Sequence, residues 1–229
     1  MISEKKFPII ERVKVADSTY ELRFGIPKGE EFNYLPGQYV VVRVNKKVAD
    51  SKGPSRSFSI SSSPTNKKYI STCFRFRDEI SEFKNEIMNC ELGTEVFIRG
   101  PLGKFTLTES EKNIVLIAGG VGITPFMSMI CYLTENKNKQ KITLIYTNRG
   151  EETRAYSKEL KDLEKKNKNL KLVIRDERVT LDCIKEKTDI KESIYYICGT
   201  TAMVLSVVEM LKELGVSEDR IKFEKFSGY

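Results

Sequence analysis

Ile114-Val115-Leu116-Ile117-Ala118-Gly119-Gly120-Val121-Gly122-Ile123-Thr124-Pro125 is the stretch that decides the fold. Five apolar residues run into a glycine turn, and the turn runs into a helix start. A buried parallel strand delivers backbone N–H groups to a phosphate in this way. Gly119, Gly120 and Gly122 remove side chains where a ligand comes close to the backbone. Thr124 is expected as the helix N-cap and Pro125 as the first helical residue. Phe126, Met129, Ile130 and Leu133 then follow at helical spacing. The reading is nucleotide binding; the alternative is an ordinary strand-to-helix turn that binds nothing.

Downstream, strands are expected at Ile114–Ala118, Ile142–Thr147, Leu170–Arg175, Ile194–Cys198 and Ile221–Phe226. Helices are expected at Pro125–Thr134, Ala155–Lys166, Thr180–Lys187 and Thr201–Leu214, the last stopped by Gly215. Alternation of this kind makes a five-stranded parallel α/β sheet wound on both faces. Upstream the pattern is antiparallel. Strands at Glu11–Ala16, Thr19–Phe24, Gln38–Val44, Ser57–Ile60, Tyr69–Phe76 and Glu95–Arg99, with one short helix at Ile80–Met88, read as a small barrel or sandwich. The polar connector Thr108–Asn113 divides the two, giving domains at 1–108 and 109–229.

At 40% hydrophobic and 31% charged, the 229 residues suit a globular chain with a substantial core. No apolar run approaches the ~20 residues of a membrane span, and the start has no signal-peptide core, so the expected location is the cytoplasm. Cys73, Cys90, Cys131, Cys183 and Cys198 are scattered and odd in number, which fits reduced thiols. Their spacing matches no iron–sulfur motif, and no metal site is expected. The chain has no histidine, which argues against triads and zinc hydrolysis and towards a bound organic cofactor. The net +7 is spread over both halves: a mild bias towards an acidic partner, or a lysine-rich solvated surface, with no tract that argues for nucleic acid.

A second stretch is Arg56-Ser57-Phe58-Ser59. Arg56 and Phe58 share one face of a strand, with Ser57 and Ser59 on the other. An arginine can grip a pyrophosphate, an aromatic can lie against a planar ring, and a hydroxyl can reach a ring nitrogen. Alone, an edge arginine and a core phenylalanine explain it as well. In order along the chain stand Pro36-Gly37-Gln38-Tyr39, Arg56-Ser57-Phe58-Ser59, Gly100-Pro101-Leu102-Gly103, the glycine turn, Cys198-Gly199 and Glu224-Lys225-Phe226. That series resembles the ferredoxin–NADP reductase superfamily over about residues 5–226.

The resemblance implies a six-stranded antiparallel FAD-binding barrel followed by a nicotinamide-nucleotide domain. Arg56 would hold the flavin pyrophosphate, with Ser57 beside it. Phe58 would pack on the ring system, and Ser59 would hydrogen-bond near flavin N5. Arg75 and Phe76 would flank the pyrophosphate and adenine side, and Ile80 and Ser81 would form a second phosphate site. Asp78-Glu79 depart from the family there, placing two acids near that site. Gly120, Gly122 and Thr124 would cradle the nicotinamide nucleotide, with Cys198, Gly199 and Met203 at the nicotinamide. A buried core cysteine is the other reading of Cys198. Glu224 would relay a proton or orient the nicotinamide amide, and Phe226, or less aptly Tyr229, would cover the flavin.

Coenzyme choice falls on Asn148-Arg149 and Arg175-Asp176. An acid at Asp176 accepts from a free 2′-OH and repels a 2′-phosphate, which favours NADH over NADPH, although Arg149, Arg175 or Arg178 leave NADPH open. The activity implied is hydride transfer between nicotinamide C4 and flavin N5. Single electrons then pass to or from a ferredoxin, a flavodoxin or a partner subunit. A non-catalytic flavin-binding subunit of a larger redox complex is the second reading, and a flavin-free dehydrogenase the third.

Overall fold

The structure, a computed structural model, describes residues 4–45, 53–76, 81–108 and 110–226. Its first half is a six-stranded antiparallel sheet made of β1 (Glu4–Ala16), β2 (Thr19–Gly25), β3 (Tyr39–Arg43), β4 (Ser55–Ser59), β5 (Tyr69–Arg75) and β6 (Glu95–Leu102). One helix, α1 (Glu82–Asn89), lies between β5 and β6. The strand order is β4-β3-β6-β1-β2-β5, and a bridge from Ile60 to Thr72 joins the two end strands, so the sheet closes on itself. Alternate residues point inward because the side-chain period of a strand is two. Phe7, Ile9, Leu22, Phe24, Val40, Val42, Ile70, Phe74, Val96 and Ile98 thereby fill the interior, with Phe83 and Ile87 of α1 as its plug. Each such side chain contributes about 1.5–3 kcal/mol by leaving water.

β1 is longer than the expected Glu11–Ala16. Its first half pairs with β6 from Glu4↔Arg99 to Pro8↔Glu95. Pro8 hides this strand in the sequence but is tolerated, because it stands at the last step of that ladder.

The second half is a parallel sheet of β7 (Asn113–Gly119), β8 (Lys141–Thr147), β9 (Leu170–Arg175), β10 (Ser193–Thr200) and β11 (Ile221–Phe226), in the order β11-β10-β7-β8-β9. The helices are α2 (Thr124–Glu135), α3 (Ser157–Lys166), α4 (Leu181–Lys187) and α5 (Thr201–Glu213). Leu116, Ala118, Leu144, Tyr146, Tyr196 and Cys198 face α2, α3 and the barrel. Val115, Ile117, Ile145, Tyr195 and Ile197 share a core with residues of α4 and α5. The order reverses at β7, and the crevice outside the carboxyl ends of β7 and β10 is where such sheets bind ligands.

The starts of α2 and α3 depart from expectation in ways that shape the site. A 3-10 turn, Gly120–Ile123, runs directly into α2, so Thr124 is already helical at φ −53°, ψ −55°. With no break at the junction, no side-chain cap is needed; Thr124 Oγ1 instead donates to the Val121 carbonyl at 2.7 Å. The helix expected from Ala155 begins at Ser157, after Tyr156 in the left-handed region at φ 61°.

The two halves are joined by polar contacts. Ser128 Oγ of α2 donates to the Ser62 carbonyl at 2.6 Å, and Tyr156 OH donates to Glu21 of β2 at 2.8 Å. Gly37, at φ 97°, lets the barrel entry strand touch this seam: a Cβ there would lie 2.1 Å from the Phe105 carbonyl oxygen and 2.4 Å from Met129 Cε. Among the described residues no helix is long and apolar enough to cross a membrane.

Candidate functional site

The outer half of the site is carried by β4. Arg56 lies over the Phe83 ring at 5.2 Å, and Phe58 stacks on the same ring at 5.9 Å and 29°. The two therefore share a face, as alternation requires. Arg56 Nη1 also donates to the carbonyls of Gly53 and Ser55 at 2.7 and 2.8 Å, which fixes the guanidinium along the strand. Phe58 is half-buried, and Ser57 is exposed on the opposite face, away from Arg56. Ser81, the N-cap of α1, accepts from Lys84 N and so opens a helix N-terminus near this group. Phe76 packs edge-on against Phe74 and Tyr20. Ile80, Asp78, Glu79 and Tyr229 lie outside the described residues.

Arg75 reaches across to the second domain. Its Nε donates to Thr19 Oγ1 at 2.9 Å, and its Nη2 donates to the Thr153 carbonyl of the second domain. A Cβ built on Gly120 would stand 3.9 Å from both Arg75 Nη1 and Asn148 Oδ1. Arg75 thus faces the glycine turn of the nucleotide domain, because β5 ends at the seam.

At the seam the two sheets bring four expected residues together. Ser59 Oγ, buried at the end of β4, donates to Glu224 Oε2 of β11 at 3.3 Å. Glu224 stands beside Cys198 in the parallel register of β10 and β11. Burial raises the Glu224 carboxyl above its ordinary pKa, against the lowering effect of the Ser59 hydrogen bond. Burial, then the Glu224 charge, pushes the Cys198 thiol well up, so it stays protonated and apolar in character. Phe226 pairs in register with Thr200 and packs against the core shared with the barrel.

The glycines serve close approach. A Cβ on Gly122 would lie 2.2 Å from the Cys198 carbonyl oxygen, so the turn is seated directly on the end of β10. Cβ atoms on Gly119 and Gly199 would meet Met203 Sδ at 2.2 and 2.7 Å, so the α5 thioether bridges the two strand ends. Thr124 is buried behind the turn.

Outward along β8 and β9 the site gathers arginines and acids. Among the described residues, the buried side-chain polar atoms without a partner include Tyr146 OH, Asn148 Nδ2, Arg154 Nε and Arg175 Nε. All four stand at or just beyond the carboxyl ends of β8 and β9. Asp176 does not stand free there: it pairs with the guanidinium of Arg154. Arg175 pairs with Glu177 at 3.3 Å, and Arg149 is exposed. Arg154 carries no motif in the sequence. Its one local signal is its place before the buried Ala155-Tyr156 pair, which draws the arginine stem inward.

The residues present fit a dinucleotide and a flavin. Unpartnered buried donors suit the oxygens of a nucleotide, and a half-buried Phe58 beside Arg56 suits a ring joined to a pyrophosphate.

The oxidoreductase FAD-binding domain family matches residues 6–107, and the oxidoreductase NAD-binding domain family matches residues 116–209. Flavohemoprotein A of Dictyostelium discoideum is 25% identical over 238 residues, covering 97% of this chain and 60% of the relative. A flavohemoprotein of Bacillus anthracis is 27% identical over 250 residues, with the same 97% and 60% coverage. The chain therefore spans 60% of the length of these relatives. The FAD/NAD-binding domain of nitric oxide dioxygenase from Vibrio cholerae superposes with a TM-score of 0.86 at 21% identity, over 98% of this chain and 99% of that one. At that identity the likeness is one of fold.

Proposed function

Because this chain belongs to the oxidoreductases that join an FAD-binding domain to an NAD-binding domain, the ferredoxin–NADP reductase superfamily, we propose that it carries hydride between nicotinamide C4 and flavin N5. It then passes single electrons to or from a separate acceptor, a ferredoxin, a flavodoxin or a partner subunit. We take the boundary between its working halves at 108/109 and its place of action as the cytoplasm, which suits an odd number of scattered cysteines. The carrying observation is the meeting of Ser59 with Glu224, beside Cys198: one residue from the flavin half and two from the coenzyme half at a single junction.

Bound FAD supplies the exchange between two-electron and one-electron chemistry. The chain does the rest. Arg56 and the start of α1 hold the pyrophosphate, and Phe58 packs on the ring. Ser59 sets the edge of the ring nearest Glu224. Arg75 and the Gly120–Ile123 turn hold the coenzyme phosphates from opposite sides of the seam. Cys198, kept as a thiol, packs beside the nicotinamide without charge. Glu224 orients the carboxamide or holds a proton, and Phe226 shields the ring until the coenzyme enters. Asp176 accepts from the adenosine-ribose 2′-OH, which favours NADH over NADPH.

The test is anaerobic titration of the purified yellow protein with NADH and with NADPH, read at the flavin band, followed by a panel of one-electron acceptors. Bleaching by a coenzyme and reoxidation by an acceptor are expected. A colourless chain that cannot be reconstituted with FAD overturns the reading.

A further inference from the structure

We propose that Arg154 is the residue that sets coenzyme choice, by holding Asp176 over the adenosine ribose. The proposal rests on the dinucleotide reading above. With the pyrophosphate at the Gly120–Ile123 turn, the adenosine half runs outward over the carboxyl ends of β8 and β9. There Arg154, only 8% exposed, pairs with Asp176, whose side chain is 63% exposed. A carboxylate has two oxygens. The Arg154 guanidinium takes Asp176 Oδ1, which leaves Oδ2 for a ribose hydroxyl. Without a fixed partner, an aspartate so exposed would sample many rotamers and orient nothing.

The same pair explains exclusion of a 2′-phosphate. Arg154 and Arg175 each carry a buried, unpartnered Nε and each is neutralised by a neighbouring acid, Asp176 and Glu177. Asn148 adds an unpartnered amide N–H beside them, its backbone N donating to the Arg175 carbonyl at 3.1 Å. The Arg154 fork is therefore already in place, and Asp176 masks it. Arginine forks match phosphate oxygens two at a time, so unmasking creates a phosphate site without new residues.

The experiment measures binding of 5′-AMP and of 2′,5′-ADP to the FAD-loaded full chain by calorimetry, beside kcat/KM for NADH and NADPH. Asp176→Ser is expected to gain roughly tenfold or more in 2′,5′-ADP affinity and to lose several-fold for 5′-AMP, with the kcat/KM ratio moving alike. Arg154→Gln is expected to weaken 5′-AMP without gaining 2′,5′-ADP, and D176S/R154Q to lose the gain of D176S. Should R154Q fold poorly, R154K keeps the charge and stem without the fork and is expected to fall between. The proposal is overturned if R154Q and R154K leave both fragments unchanged, or if the double variant gains 2′,5′-ADP as fully as D176S. A wild-type chain preferring NADPH overturns the NADH reading instead, a result separate from the fragment series.

Discussion

Ser59 of the barrel and Glu224 of the parallel sheet share a hydrogen bond of 3.3 Å across the domain seam, although 165 positions separate them. Burial raises the Glu224 pKa from 4.5, and the Ser59 hydroxyl works against that rise. In the unfolded chain Glu224 ionises first. Its contribution to stability is therefore fully present below its unfolded pKa and is lost as pH climbs through the higher folded value. Ser59→Ala is expected to move the acid limb of the pH profile for flavin reduction upward. Glu224→Gln is expected to flatten the fall in unfolding free energy above pH 4.5, measured by urea titration at several pH values. An acid limb unmoved in S59A would remove Glu224 from that limb.

Gly120 and Gly122 are two positions apart and are glycine for different reasons. At Gly120 the requirement is conformational, φ 54° with no atom nearer than 3.9 Å to a built Cβ. Ala there is expected to cost about 1–2 kcal/mol. At Gly122 the obstacle is the backbone of Cys198, which cannot swing aside as a side chain does. Ala there is expected to cost about 3 kcal/mol or more and to part the turn from β10. Thermal unfolding of G120A and G122A separates the two. Equal losses would mean the seam between turn and strand is looser than the 2.2 Å approach indicates.

Tyr156 holds a left-handed backbone at φ 61° while its hydroxyl donates to buried Glu21 at 2.8 Å. Glu21 also pairs with Arg23 at 2.8 Å. Tyr156→Phe leaves one carboxylate oxygen with only a long contact from Ser61, at 3.4 Å. The expected loss is about 1–3 kcal/mol. Because the contact joins the domains, proteolysis at the connector near residue 108 is expected to quicken in the same variant. Unchanged cleavage with reduced stability would confine the effect to the local packing.

Where the sequence was legible, one stretch of chain carried the whole signal. The glycine turn is bounded by its own strand and helix, and Arg56 and Phe58 sit two apart on one strand, so local periodicity reveals both. What stayed hidden depends on distant partners. The first half of β1 is strand because β6 lies beside it, and Pro8 masks that from any local pattern. Arg75 reaches Gly120 and the Thr153 carbonyl of the second domain, partners that only the fold supplies. Arg154 lies in a polar run with no period, and only the fold brings it to Asp176.

One strand repeat before Cys198 and Glu224, towards the amino ends of β7, β10 and β11, Glu111 is buried. It accepts from Lys222 Nζ at 2.6 Å, from Thr108 Oγ1 at 2.6 Å and from Tyr196 OH at 2.8 Å. Lys222 Nζ also donates to Tyr196 OH at 2.8 Å, so one cation serves both partners. Lys222→Met leaves a buried carboxylate with hydroxyl donors alone. A loss of about 2–3 kcal/mol is expected, at the lower end for a buried pair because Lys222 remains 31% exposed. Adding Glu111→Gln removes the stranded charge, so the double variant is expected to recover most of that loss by urea titration. Coenzyme affinity and flavin content should stay at wild-type values in both, since the cluster ties the connector to the sheet on the amino-end side of Cys198 and Glu224. A fall in kcat/KM for the coenzyme with stability unchanged would show that Lys222 acts on the crevice and not on the connector.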